Sequence, residues 1–263
     1  MQDQQSPGGQ PTGVGPRLKT SFAEFVVLTA LLISLTAMSI DIMLPSLPQI
    51  GAAFSVAHAN ETQQVLTSYM LGLGFGQLVW GPLSDRFGRK LLLLLGLLVF
   101  VIGALACLLA PTLGVMLAAR AVQGFGGAAA RVISVAIVRD LFAGRQMARV
   151  MSTVMTVFIA VPIFAPSVGQ ALAHVGNWRW NFYVLLSAGL IGIVWAGYRL
   201  SETSRPASAG RFGFIDGCRA VLSNRVTLGY TIAGGFMFAC SSATSAARSR
   251  FSSMSMLWVR YFR

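Results

Sequence analysis

Two ionisable residues stand inside apolar surroundings, where charge is expensive. Asp41 falls in Ser39-Ile40-Asp41-Ile42-Met43-Leu44-Pro45, and Arg120 in Arg120-Ala121-Val122-Gln123-Gly124. A carboxylate in such a place can gain and lose a proton as its surroundings change. An arginine keeps its charge, so it needs a partner or a water-filled cavity. The chemistry these residue types support is proton binding and charge pairing. No covalent step is indicated: no catalytic triad, metal-ligand cluster or nucleotide motif is present, and the chain is read as not an enzyme. No cofactor and no metal are expected. Cys107, Cys218 and Cys240 show neither metal spacing nor a pairing pattern. Cys107, within an apolar run, reads as packing, and His58 and His174 read as loop residues.

The elements that must hold Asp41 and Arg120 are long apolar blocks, over about 22–44, 62–83, 91–110, 113–138, 148–173 and 181–199. A span of about 20 apolar residues crosses a bilayer. These runs are continuously hydrophobic, unlike the alternating strands of a barrel, so they read as membrane helices. The 263 residues are 55% hydrophobic and 11% charged, whereas a soluble domain carries about 25% charged residues. The formal net charge of +12 does not indicate nucleic-acid binding, because the basic residues flank apolar blocks instead of forming one patch.

Placing the N-terminus in the cytoplasm puts Arg17, Lys19, Arg86, Arg89, Lys90, Arg139, Arg145, Arg149, Arg199, Arg205, Arg211, Arg219 and Arg225 inside. Only Arg179 is then outside, a bias of thirteen to one. Trp178, Trp180 and Tyr183 at one end, and Trp80 and Tyr198 at the other, fit an interfacial belt. The first and fourth blocks run in opposite directions, so Asp41 and Arg120 reach similar depth from the outer side. An Asp41–Arg120 pair would lower the cost of burying either charge; a carboxylate at the water interface is the alternative, because Pro45 can end the helix early.

The run Gly81-Pro82-Leu83-Ser84-Asp85-Arg86-Phe87-Gly88-Arg89-Lys90 reads as a short loop between the second and third blocks. Gly81 ends a helix, Pro82 and Gly88 shape the turn, and Arg86, Arg89 and Lys90 anchor it at the basic side. Asp85 is suited to a nearby helix N-terminus or to pairing with Arg139. Helix five holds Pro162, Ala165, Pro166, Ser167 and Gly169, and proline there can kink the helix. Arg131 lies about two turns from Arg139, at a depth where snorkelling is open to it, and no partner is evident.

These strings carry a resemblance. Gly81–Lys90 resembles the loop between helices two and three of the major facilitator superfamily, and Arg120–Gly124 resembles that superfamily's helix-four motif. Asp41-x-x-Leu-Pro-x-Leu-Pro, Arg139-Asp140-Leu141-Phe142 and Ala165-Pro166-x-x-Gly169 are similar to patterns of its bicyclomycin-resistance (Bcr/CflA) drug-efflux group. Ala165 and Gln170 depart from the usual antiporter motif. The resemblance implies an all-α membrane protein, the N-terminal six-helix bundle of the major facilitator fold, plus the start of a seventh helix. It also implies a missing C-terminal bundle, and exchange of a drug-like solute for a proton in the bacterial inner membrane. By the same resemblance Asp41 and Arg120 are the proton-linked pair. Gly81, Asp85, Arg86, Gly88, Arg89, Lys90 and Arg139 form a conformational latch, and Ala165, Pro166 and Gly169 an antiporter-like motif. A non-transporting fragment or assembly subunit, and a proton-coupled uptake carrier, are the alternatives.

The expected organisation is a disordered cytoplasmic tail at 1–21, the bundle at 22–199, a central loop at 200–226 and the start of helix seven at 227–240. Residues 241–263 hold seven serines and four arginines without a helical stripe. A shifted reading frame or truncated gene accounts for that tail; a genuine short tail is the alternative. No secretory signal is expected, because the first apolar block is too long.

Overall fold

The computed structural model describes residues 21–56 and 59–203, with a few helical positions between Ser223 and Phe236. The expected tail, most of the central loop, the residues after Phe236 and His58 lie outside the described residues. The chain divides into two units, 1–208 and 209–263, and the first holds the helices discussed below.

Among the described residues of this unit there are seven α-helices: α1 Phe22–Asp41, α2 Leu47–Ala53, α3 Ala59–Phe87, α4 Arg89–Leu108, α5 Leu113–Leu141, α6 Gly144–Val175 and α7 Arg179–Arg199. Among the described residues, five stretches are long and apolar enough to span a membrane: Phe22–Ala53, Arg89–Leu108, Leu113–Leu141, Gly144–Val175 and Arg179–Arg199. The second expected block, within α3, has the length but is diluted by Gln, Ser, Thr and Gly.

The first apolar block is two helices, not one. Pro45 lacks an N–H, and its ring clashes with the carbonyl four residues back, which belongs to Asp41. The α-helix therefore stops at Asp41, a single 3₁₀ turn follows over Leu44–Ser46, and Pro48 lies in the first turn of α2. Asp41 is thus the last residue of α1, not a mid-helix residue.

The expected loop Gly81–Lys90 is also mostly helix. α3 continues through Pro82 to Phe87, and α4 begins at Arg89, leaving Gly88 alone as the joint. Gly88 adopts φ of +101°, a conformation that favours glycine. Gly81 does not end a helix.

α5 is the hub. Its most extensive contacts are with α3 and α4, while α4 also packs on α7, and α1 packs on α6 and α5. Without a hydrophobic drive between helices in lipid, close backbone approach does this work. A Cβ on Gly124 of α5 would strike the Tyr69 carbonyl of α3, and one on Gly72 of α3 would strike the Ala121 carbonyl of α5. Trp80, expected at the interface, is 5% exposed and donates from Nε1 to the Phe125 carbonyl at 2.8 Å, tying α3 to α5. Trp178, also expected there, is buried against Phe54 and Phe182. Trp180, Tyr183 and Tyr198 are exposed as expected. His174 sits in the last turn of α6, not in a loop. Cys107 is buried.

Gly74, unlike Gly124, has open space around its missing Cβ. Gly124→Ala should therefore lower stability by about 1–3 kcal/mol through overpacking. Gly74→Ala should leave stability unchanged or raise it by about 0.5–1 kcal/mol. Thermal unfolding in detergent micelles measures both.

Candidate functional site

The end of α1 creates an acceptor. Beyond Asp41 the Met43 N–H turns to the Ile40 carbonyl at 3.3 Å instead of continuing the α-ladder. Ser39, whose hydroxyl donates back to the Leu35 carbonyl at 2.7 Å, presents its own carbonyl to Arg120. Arg120 Nη2 donates to it at 2.9 Å, Nη1 donates to Gln123 Oε1 at 2.8 Å, and Nε reaches the Val65 carbonyl at 3.4 Å. The guanidinium also lies 4.5 Å from the Tyr69 ring centroid and 5.9 Å from that of Phe182. Arg120 is 0% exposed. It joins α1, α3, α5 and α7 at one point.

The expected Asp41–Arg120 ion pair does not form. Arg120 binds the backbone two residues before Asp41, and among the described residues the Asp41 carboxylate has no hydrogen bond or ion pair. Asp41 is half-buried. Helix α6 comes close beside it: a Cβ on Gly169 would strike the Ile42 carbonyl. Ala165, one turn earlier on α6, is likewise buried, and Pro166 lies within α6 without ending it. The antiporter-like segment and the end of α1 are therefore in contact, which the sequence spacing does not indicate. Gln49 adds a further tie, its Nε2 donating to the Ala173 carbonyl at 2.9 Å.

A second cluster sits at the far end of α5. Arg89 pairs with Asp85 at 2.5 Å and with Asp140 at 3.0 Å, and its Nη1 donates to Ser84 Oγ at 2.7 Å. One arginine thereby joins α3, α4 and α5. Asp85 does not pair with Arg139, which is exposed; the acidic neighbour Asp140 supplies the contact instead. Asp85 does not cap α4 either. Glu202, just past α7, does: its Oε1 accepts from Arg89 N at 2.8 Å and its Oε2 from Lys90 N at 3.1 Å. These are N–H groups without intrahelical partners, at the positive end of the helix dipole. A Cβ at Gly88 would sit 2.9 Å from Glu202 Oε2, a second reason for glycine there. Glu202 went unrecognised in the sequence; an acidic residue just after a basic helix end was the one available signal. Arg131, without an evident partner in the sequence, lies 5.5 Å from the Phe158 ring centroid. Arg86 lies 5.5 Å from that of Phe87.

The family profile described as Major Facilitator Superfamily matches residues 29–262. The chain belongs to the major facilitator superfamily. It is 36% identical over 217 residues to a bicyclomycin resistance protein homolog of Haemophilus influenzae, covering 81% of this chain and 54% of that protein. It is 33% identical over 186 residues to a chloramphenicol resistance protein of Pseudomonas aeruginosa, covering 70% and 44%. The proton:xylose symporter XylE superposes with a TM-score of 0.62 at 17% identity, over 69% of this chain and 45% of that one. The chain spans about half the length of these relatives. This superfamily member has the helical fold of that structure and drug-resistance proteins among its relatives.

Replacing Glu202 by Ala should weaken the start of α4 by about 1 kcal/mol, the usual scale for a lost helix cap. Hydrogen exchange should then speed up at the Arg89 and Lys90 amides and stay unchanged at the α4 centre.

Proposed function

We propose that this bundle serves proton-coupled efflux of drug-like solutes, acting opposite a second six-helix bundle, in the bacterial inner membrane with its N-terminus cytoplasmic. The observation that carries the reading is the unpaired carboxylate of Asp41, held at the broken end of α1. It stands between the Ser39 carbonyl that Arg120 binds and the Ile42 carbonyl that Gly169 approaches.

An acid in that position can take up and release a proton without breaking a structural ion pair. Its charge state is read by two helices at once. Arg120 fixes the end of α1 against α5, and Gly169 lets α6 lie directly on it. A change in charge at Asp41 therefore acts where α1 and α6 meet. Such a change biases a two-state rearrangement only through its differential interaction with the two states. Arg120 is the positioning residue of this pair, since it holds the backbone and not the carboxylate. Ala165, Pro166 and Gly169 supply the surface against which the end of α1 moves.

At the other end, the Asp85–Arg89–Asp140 cluster is the latch. Asp85 is 62% exposed on its side chain and Arg89 13%. That leaves a carboxylate edge for a second bundle to engage, while Arg86, Lys90 and Arg139 keep this end on the basic, cytoplasmic side. Gly88, at φ of +101°, makes the turn that brings these residues together. The drug-resistance relatives support efflux as the direction and drug-like molecules as the cargo.

Everted membrane vesicles holding the protein, given an inward-acid pH gradient and a fluorescent drug, test this reading. The account expects gradient-dependent drug accumulation that Asp41→Asn reduces to the level of empty vesicles, with drug binding retained. Accumulation that Asp41→Asn leaves intact, or drug movement in the opposite sense, would contradict it.

A further inference from the structure

Arg131 is a cation at mid-membrane depth that the mechanism above does not use. It lies ten residues before the end of α5 at Leu141, about 15 Å along the helix at 1.5 Å per residue. Its guanidinium does not run down to the charged end of the bundle. Helical side chains lean toward their own N-terminus, which for α5 is away from the Arg139–Asp140 end. The contact agrees: the ring under Arg131 is Phe158, fourteen residues into α6 from Gly144, about 21 Å from the same end. The guanidinium is therefore near the bilayer midplane and is not snorkelling.

Arg131 is exposed, in contrast to Arg120. Among the described residues no carboxylate pairs with it. α6 packs chiefly on α1 and touches α5 little, so Arg131 meets Phe158 where the two helices are sparsely packed. A charge at this depth is tolerated only beside water, a counter-charge or an ion path, and a single cation–π contact offsets only part of its cost. One turn along the same face of α5, Ser134 is 2% exposed and its Oγ has no hydrogen-bond partner. On the facing helix, Ser152 and Thr156 are exposed on α6.

We propose that Arg131 and Phe158 form an anion-recognition site on the solute path, which takes aromatic carboxylates. The guanidinium presents paired N–H donors that fit a carboxylate, and Phe158 offers an apolar face for the ring attached to it. The site rests on the transporter reading of the preceding subsection for its access to water, but it requires neither proton coupling nor efflux. It predicts a preference for charge at fixed shape, which the binding of neutral drugs alone does not produce.

The test uses the whole chain in lipid nanodiscs with two probes of matched shape, 1-naphthoate and the neutral 1-naphthamide, titrated by fluorescence. Naphthoate should bind about tenfold tighter, the scale of one charge-assisted hydrogen bond. Arg131→Gln should abolish that preference while leaving naphthamide affinity unchanged. Arg131→Lys, which keeps the charge, should retain part of the preference, and Phe158→Ala should weaken both probes. Arg139→Gln, at the exposed end, should change neither. Equal affinity for the two probes in the unaltered chain, no binding of either, or a preference that survives Arg131→Gln would overturn the site. A preference lost equally in Arg139→Gln would reassign it to the general basic field. Vesicle transport failing while this preference holds would overturn the efflux reading and leave the site standing.

Discussion

The fold depends on a guanidinium that is buried among four helices without a carboxylate. Taking an arginine wholly out of water costs several kcal/mol even after relaxation. That cost is offset by the hydrogen bonds Arg120 donates as a charged group, worth about 1.5–3 kcal/mol each, and by the Tyr69 ring centroid 4.5 Å away. Those acceptors exist only because of the rest of the structure. α1 ends before Pro45, and the Met43 N–H turns to Ile40, which leaves the Ser39 carbonyl available. Gly72 and Gly124 let α3 and α5 approach closely enough to bring Val65 and Tyr69 into range. Loss of any one of these leaves a buried charge short of partners, so the bundle's geometry and the arginine's solvation enforce each other.

This arrangement also separates two tasks that an Asp41–Arg120 pair would have merged. With the arginine satisfied by two backbone carbonyls and Gln123, Asp41 has no hydrogen-bond or ion-pair partner among the described residues, at the point where α1 meets α6. Under the proposed function, a proton bound there would change local charge without dismantling the core. The same division recurs at the other end. Arg89 does the structural joining of α3, α4 and α5, while Glu202 holds the first N–H groups of α4. Asp85 keeps most of its surface free.

Hydrophobic length made the helices legible, and an arginine and an aspartate in apolar runs marked the site. What could not be read was how each polar group is satisfied. Equal depth pairs Arg120 with the nearest opposite charge, yet a backbone carbonyl left unpaired at the end of α1 also accepts from it, and sequence does not display carbonyls. Residue type places Trp80 and Trp178 at the interface, but an indole such as Trp80, given the Phe125 carbonyl as acceptor, fits the interior as well. Charges and proline dominate Gly81–Lys90, and by type they indicate a loop. In fact, Pro82 is accommodated within α3, and one glycine with positive φ makes the turn. Glu202 lies 113 residues from its partner Arg89, beyond the reach of any local pattern.

The most direct test is a double-mutant cycle on thermal unfolding, using Asp41→Asn, Arg120→Gln and the pair together. If Arg120 is held by carbonyls and Asp41 stands free, the coupling between the two should stay within about 0.5 kcal/mol, the scatter of independent sites. Arg120→Gln alone should be strongly destabilising and Asp41→Asn nearly neutral. A coupling of several kcal/mol would show that the two charges form a structural ion pair, contrary to this account.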